Sequence, residues 1–428
     1  MKLLIKNGQL FDGKSAISKA TDILIEDGVI VEIDNEIDST GCEIIEANGM
    51  YVVPGLVDAH CHLRDPGFEY KEDIESGTRS AAKGGFTSVA CMPNTNPVLD
   101  NEAMIMYILN KAKTDGIVNV YPIGALSKGL KGEELSEIGE LKFAGAVALS
   151  DDGKPVNNSS LMKKAMQYAS MFDITIISHC EDLDLVDEGL MNEGYYSSLL
   201  GLKGNPAPAE EVMIARDLIL AEYTKANVHI AHVSTELGVD LIRNAKRRGV
   251  KVTAETCPHY FSLTEQACEG FDTNAKVNPP LRTQNDVNAI IQGLKDGTID
   301  IISTDHAPHH IDEKNVEFKI AANGMVGFET AFPLAITNLV KAGHLTVEEL
   351  INKMCVNPSK MLGLNKGTIE VGKSADIMIF DINEQCTVDI NSFESKSKNS
   401  PFNGFKLYGQ PQYTIVGGNP IVREKVLL

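Results

Sequence analysis

The chain has 428 residues, 43% hydrophobic and 23% charged, with 39 Lys plus Arg against 59 Asp plus Glu and a formal net charge of -20. That composition excludes a disordered chain and leaves room for one large barrel plus a smaller unit. A surface so acidic repels nucleic acid and anionic lipid, so neither is an expected partner, and an anionic substrate needs a local cation working against the overall field.

The opening "MKLLIKNGQLFDG" breaks its apolar run with Lys and Asn, so it is neither a signal segment nor a membrane span. The first ~50 residues alternate β-rich runs with Asn-Gly and Asp-Gly dipeptides, in "LLIKNGQLFDG", "DILIEDGVIVEID" and "EIIEANGMYVVPG", which is a hairpin signal. The C-terminus repeats the style in "GTIEVGKSADIMIFDI" and "QYTIVGGNPIVREKVLL". Neither end alone buries enough apolar surface, so both are expected to build one small β-sandwich, from residues 1–53 and 367–428.

Between them, over 54–366, eight short apolar runs follow in order: "GLVDAHCHL", "FTSVACMPN", "IVNVYPIGAL", "GAVALSDD", "ITIISHCED", "VHIAHVS", "VKVTAETCPHY" and "IDIISTDHAPHH". Helical stretches such as "NEAMIMYILNKAKT", "SLMKKAMQYASMF" and "AEEVMIARDLILAEYT" separate most of them. Strand then helix, eight times, predicts an α/β fold of the (β/α)8 barrel type. A doubly wound open sheet is the competitor, but no G-x-G-x-x-G follows the first strand. The eight cysteines form no C-x-x-C pair and are expected to be reduced thiols of a cytoplasmic protein.

Barrel enzymes carry their chemistry at the C-terminal ends of the strands. Here those ends supply His60, His62 and Arg64; Asn94; Asp151 and Asp152; His179; His232; Glu255 and His259; and Asp305, His306 and His309. Nine of the ten histidines fall in these eight segments, and only His344 lies outside. His60 and His62 share a strand face by the two-residue period, with Ala59, Cys61 and Leu63 expected to point out toward the helices. Imidazoles and carboxylates converging at one mouth suit zinc and similar divalent ions, and four histidines with a bridging carboxylate suffice for two.

Each residue also has an ordinary reading. A single histidine such as His179 is more often a core or surface group than a ligand. His229 differs in parity from His232 and is expected to face the other way. His306 fits a supporting or structural role, Glu255 a plain inward polar residue, and Asp58 a deeper carboxylate that orients a ligand imidazole. Arg64 and Asn94 bind no metal well. Beside a metal centre a guanidinium fork fits a carboxylate, so they point to an anionic small-molecule substrate, with Asn278 and His309 adding hydrogen bonds.

"DAHCHLRDPG", "KGGFTSVACMPNTNPV", "SDDG", "SHCED", "AHVST", "ETCPHY", "NPPLR", "STDHAPHH" and "NGMVGFETAFPL" run in order along the chain. Together they resemble the dihydroorotases of the bacterial type I class, in the amidohydrolase superfamily, over nearly the whole chain. The resemblance implies reversible cyclisation of N-carbamoyl-L-aspartate to L-dihydroorotate in pyrimidine biosynthesis. In the hydrolytic direction this is attack of a metal-bound hydroxide on a cyclic amide, with Asp305 as general acid and base. It implies zinc, two ions favoured over one, held by His60, His62, Asp152, His179, His232 and Asp305 and bridged by Asp152. Many superfamily members bridge with a carboxylated lysine; here "ALSDDGKPV" has none at that place, and Lys154 lies two residues further on. The implied substrate pocket is Arg64, Asn94, Asn278, His309, Asn323 and Gly324. A homodimer and association with aspartate carbamoyltransferase are the partner expectations. The rival readings are a hydantoinase or allantoinase, and a silent scaffold for the carbamoyltransferase. Asp65 is left without a role.

Overall fold

The structure, a computed structural model, describes residues 2–18 and 20–428. Eight parallel strands form a barrel: Leu56–Cys61, Phe86–Cys91, Asn119–Pro122, Ala148–Ser150, Thr175–Ser178, Val228–Ile230, Val252–Thr256 and Ile301–Ile302. The apolar runs make strands because both their faces are covered, one by helices and one by the barrel interior. Gly124–Ala125 extends the third strand and pairs with Leu149 and Ser150, and Val147 N donates to Pro122 O across the same seam. The last strand closes on the first where His62 N donates to His306 O at 2.9 Å.

Helices fill the returns, among them Glu102–Asp115, Ser159–Ser170, Pro208–Thr224, Glu236–Arg247 and Gln284–Asp296. Most of their starts follow from side-chain caps: Asn101 accepts from Met104 N, and Thr283 and Asp286 cap each other reciprocally, whereas Pro208–Thr224 starts on a proline with no side-chain cap. The main core lies between strands and helices. A smaller cluster of Ala59, Ala90, Ile123, Ala148, Ile177, Ala231 and Ile301 fills the barrel interior. Ala59 therefore points inward, against the simple alternation expected for it. The first strand shifts register between Asp58 and Cys61, which breaks the two-residue period. Cys61 and Leu63 do pack in the outer core.

Both chain ends meet in one nine-stranded sheet. Its order is Val426–Leu427, Asn419–Arg423, Pro411–Val416, Ile377–Phe380, Tyr51–Pro54, Lys2–Leu10, Thr21–Glu26 and Val29–Asp34, with Glu43–Glu46 also paired to Lys2–Leu10. The two halves share Lys2–Leu10, and Ile23, Ile25 and Ile45 of one pack in a single core with Ile377, Ile379 and Ile415 of the other. Asp27–Gly28 turns a hairpin as expected, but Asn7–Gly8 does not. Asn7, at φ 60°, instead forms a bulge inside Lys2–Leu10 where the pairing shifts between Ile5 and Gly8. A Cβ on Gly8 would lie 2.3 Å from Val52 Cγ2, so the glycine serves a close approach and not a turn. Asn48–Gly49 joins two strands that both pair in parallel with the first, so it too makes no hairpin. Residues between the returning strands leave the sheet. Ser395, Lys396 and Ser397 bond Glu72, Asp73 and Lys71, and Asn399 reaches the barrel mouth.

Candidate active site

At the C-terminal mouth a cavity of about 230 Å³ is lined by His62, Arg64, Asn94, Asp152, His179, His232, Asn278, Asp305, His309, Asn323 and Gly324, with Gly153 and Ala307. His60 lies just beneath, fully buried. Asp152 is the centre of the group. Its carboxylate lies 3.4 Å from His60 Nε2, 3.5 Å from His62 Nε2, 3.6 Å from His179 Nδ1 and 3.7 Å from His232 Nε2. Asp305 Oδ1 stands 3.2 Å from His62 Nε2 and 3.6 Å from His60 Nε2.

Three of these side chains reach inward through unusual backbone: Arg64, His232 and Asp305 hold φ of 61°, 34° and 45°. Left-handed backbone at a non-glycine residue costs about 1–3 kcal/mol and concentrates at functional sites. At His232 it also explains a departure from strand parity. The strand ends at Ile230, and the kink turns His232 inward although His229 is already inside, 3.2 Å from Glu255. The expected opposite facing of the two histidines does not hold.

Supporting bonds set the ring orientations. His60 Nδ1 meets Glu255 Oε1 at 2.7 Å, and His62 Nδ1 meets Asn94 Oδ1 at 2.9 Å. Both partners are acceptors, so each Nδ1 carries the proton and each Nε2 is left for a cation. Both Nε2 atoms then face the Asp152 and Asp305 carboxylates, lone pair against lone pair, unless a proton or a cation intervenes. His60 Nε2 and His232 Nδ1 are buried without a hydrogen bond, and His179 Nδ1 lies 2.8 Å from His232 Nε2. The donor set of imidazoles and carboxylates therefore fits a divalent metal. His60, His62 and Asp305, and His60, Asp152 and His232, each bring three ligand atoms within 4.8 Å of one another.

The electrostatics agree. Burial opposes a charged His60, yet the carboxylates of Asp152 and Glu255 outweigh it and push its pKa well up. Burial favours neutral Asp152, and His60 with the other imidazoles holds it far below the usual carboxylate range. Asp305 is held at about 2, His60 and His62 overcoming its burial. Arg64 makes no ion pair among the described residues. Its Nε donates to Pro308 O at 3.2 Å, and Nη2 approaches His309 Nε2 at 3.4 Å. Burial and the Arg64 charge lower His309 to about 3. A neutral ring there donates to only one of its two acceptors, Asn323 O at 2.8 Å or Glu313 Oε2 at 3.1 Å.

Several residues take roles other than those read from sequence. Asp58 accepts from Thr304 N and Oγ1 and orients no imidazole. Glu255 does that work, bracing His60 while accepting from Ser303 Oγ at 2.5 Å. Its signal was present: a carboxylate inside an otherwise buried strand. Asp151 accepts from Leu126 N and Ser127 N and anchors the neighbouring loop. Asp65, without a role in the sequence, is buried against Lys111 Nζ at 2.7 Å and Tyr107 Oη at 3.1 Å. His306 stacks on Phe328 and bonds Glu72, outside the cavity. Lys154 is exposed. Asn94 divides its amide between His62 and Asp152, which it approaches at 3.4 Å, so it braces two candidate ligands as well as lining the cavity.

Asn399, Lys276 and Lys314 had no signal at all, because their partners are distant in sequence. Asn399 Nδ2 donates to Ala307 O at 3.1 Å and Gly324 O at 3.0 Å, and its Oδ1 accepts from His309 N. Lys314 Nζ donates to Ala322 O and Gly324 O, and Lys276 Nζ to Phe318 O and Ala321 O. Two buried ammoniums satisfied by carbonyls thus hold the loop before Gly324. At Gly324, φ is 135° and a Cβ would lie 2.7 Å from Ala307 Cβ, so only glycine fits.

A (β/α)8 barrel with histidines and aspartates gathered at its mouth defines a metal-binding hydrolase of the amidohydrolase superfamily. The solved structures agree. L-hydantoinase (dihydropyrimidinase) from Arthrobacter aurescens superposes with a TM-score of 0.91 at 28% identity, covering 100% of this chain and 97% of that one. Dihydropyrimidinase from Brevibacillus agri NCHU1002 shares the fold at 0.89 and 24%, covering 100% of this chain and 96% of that one. The family model described as Dihydro-orotase-like matches residues 49–237. Curated proteins named dihydroorotase from Ruminiclostridium cellulolyticum and Acetivibrio thermocellus are 83% and 71% identical, each covering 100% of both chains. The chain belongs to the dihydroorotase family.

Proposed function

We propose that this chain catalyses the reversible cyclisation of N-carbamoyl-L-aspartate to L-dihydroorotate in pyrimidine biosynthesis, with two zinc ions bridged by Asp152. The observation that carries this reading is one carboxylate within 3.4–3.7 Å of four histidines, beside an arginine with no carboxylate partner. Full-length similarity to proteins named dihydroorotase supports the choice of substrate. A divalent metal bound there supplies a Lewis acid and lowers the pKa of water to ~7.

His60, His62, His179, His232, Asp152 and Asp305 are the proposed ligands. Arg64 and Asn94 grip the substrate carboxylate that does not react, and Asn278, His309, Asn323 and Gly324 line the pocket around the substrate. In hydrolysis Asp305 takes the proton that the attacking water loses and returns it to the departing ring nitrogen. In synthesis it takes the proton from the ureido nitrogen as the C–N bond forms and gives it to the oxygen that leaves the carboxyl carbon as water. Fixing the spectator carboxylate holds nitrogen and carbonyl carbon at bonding approach. A homodimer belongs to the same proposal, because Val212, Ile219 and Tyr223 stand exposed along one face of the helix Pro208–Thr224.

The test is turnover by metal-analysed protein of dihydroorotate, hydantoin and allantoin at equal concentration. Dihydroorotate is expected to be turned over at least a hundredfold faster. Faster turnover of hydantoin makes the chain a hydantoinase, and no turnover with full metal makes it a scaffold. Asn399→Ala tests the loop. Losing its bonds to Ala307, His309 and Gly324 is expected to raise KM about tenfold, ~1.4 kcal/mol, with metal content unchanged. Steady-state kinetics beside metal analysis decides; an unchanged KM removes Asn399 from any part in substrate binding.

A further inference from the structure

Beside the proposed centre, Cys257, His259 and Asp305 also bring one ligand atom each within 4.8 Å of one another, and all three are buried. None of the mechanism above uses Cys257 or His259. Cys257 follows the seventh barrel strand as N-cap of the helix Pro258–Ser262, and His259 lies in that helix's first turn. Neither His259 nitrogen nor the Cys257 sulfur has a hydrogen-bond partner among the described residues, and His259 Nε2 is shielded from solvent altogether. An imidazole is rarely left buried and unpartnered, and such a group calls for an unseen water or ion.

The third member completes the set. Asp305 turns Oδ1 toward His60 and His62, and among the described residues no hydrogen bond reaches its Oδ2. One thiolate, one imidazole and one carboxylate oxygen form a donor set that zinc accepts. Zinc bond lengths of about 2.0–2.3 Å set tetrahedral ligand atoms about 3.3–3.8 Å apart, so closing the site asks for a shift of roughly an ångström.

We propose that Cys257, His259 and Asp305 form an additional, inhibitory zinc site buried beside the catalytic centre. The inhibition rests on the reading of Asp305 as proton carrier. An ion on Oδ2 draws off the electron density with which the carboxylate accepts a proton and pulls the side chain toward the seventh strand. Binding itself does not depend on that reading, so the two are measured separately.

The experiment titrates zinc into protein already loaded with its resident metal, following bound metal and dihydroorotate turnover. One more ion per chain is expected, with turnover falling at least tenfold as it binds. Cys257→Ser is expected to keep the basal rate within twofold and to need at least ten times more zinc for the same inhibition. Cobalt added to zinc-loaded protein is expected to give a near-ultraviolet thiolate-to-cobalt band in the wild type and none in Cys257→Ser. Should that variant fail to fold, His259→Gln gives the same comparison. No further ion, equal inhibition of the variants, or a thiolate band that survives in Cys257→Ser overturns the site. An extra ion with the thiolate band but no loss of turnover keeps the site and overturns its inhibitory role, and with it counts against Asp305 as proton carrier.

Discussion

Asp305→Asn is expected to keep its metal and to lose about 10³-fold in turnover, the middle of the range that a positioned general acid or base contributes. Asparagine is the informative replacement for two reasons. Asp305 sits at φ 45°, and asparagine tolerates left-handed backbone where alanine is strained. The amide also preserves the size of the group 3.2 Å from His62 Nε2 while removing its ability to take a proton. Five donors remain for metal in His60, His62, Asp152, His179 and His232. Metal analysis together with kcat is the measurement. A variant with full metal and a rate within tenfold of the parent shows that the proton travels by another group. A variant that loses metal shows that the Asp305 oxygen matters first as a ligand.

What the sequence made legible follows the range of the interactions concerned. Eight apolar runs with helical returns are local patterns, and each run became a barrel strand. His60, His62, Asp152, His179, His232 and Asp305 share the mouth because strand ends in a closed barrel must converge there. Alternation failed where backbone departs from a regular strand. The register shift between Asp58 and Cys61 turned Ala59 inward, and the left-handed His232 put it on the same side as His229. Turn chemistry failed at Asn7–Gly8, since the same dipeptide serves a bulge as well as a hairpin. The braces were hidden for a different reason. Glu255 and His60 are separated by 195 positions, and Asn399 and His309 by 90. No local pattern pairs such residues; only the closed barrel and the C-terminal segment laid over its mouth do.

Arg64→Ala is expected to raise KM for carbamoyl aspartate by about 10²–10³-fold and to leave the melting temperature nearly unchanged. Two charge-assisted hydrogen bonds from a guanidinium fork to a carboxylate contribute about 1.5–3 kcal/mol each, about 3–6 kcal/mol together, and at 1.4 kcal/mol per tenfold the lower half of that range is about 10²–10³-fold. The folded protein gives up little in exchange. Among the described residues Arg64 has no carboxylate partner, and its protein bonds are Nε to Pro308 O and a 3.4 Å approach to His309. Burial lowers its pKa and the charges of Asp305 and Asp152 oppose that, while the side chain itself is only part-buried. In a chain of net charge -20 that uncommitted cation is what makes the mouth attractive to a dianion. Arg64→Lys separates charge from geometry: a point charge without the planar fork is expected to restore less than a tenth of the lost affinity. KM measured at two ionic strengths for all three proteins decides. An unchanged KM in Arg64→Ala takes the arginine out of the pocket, and full rescue by lysine leaves it a source of field and not of fit.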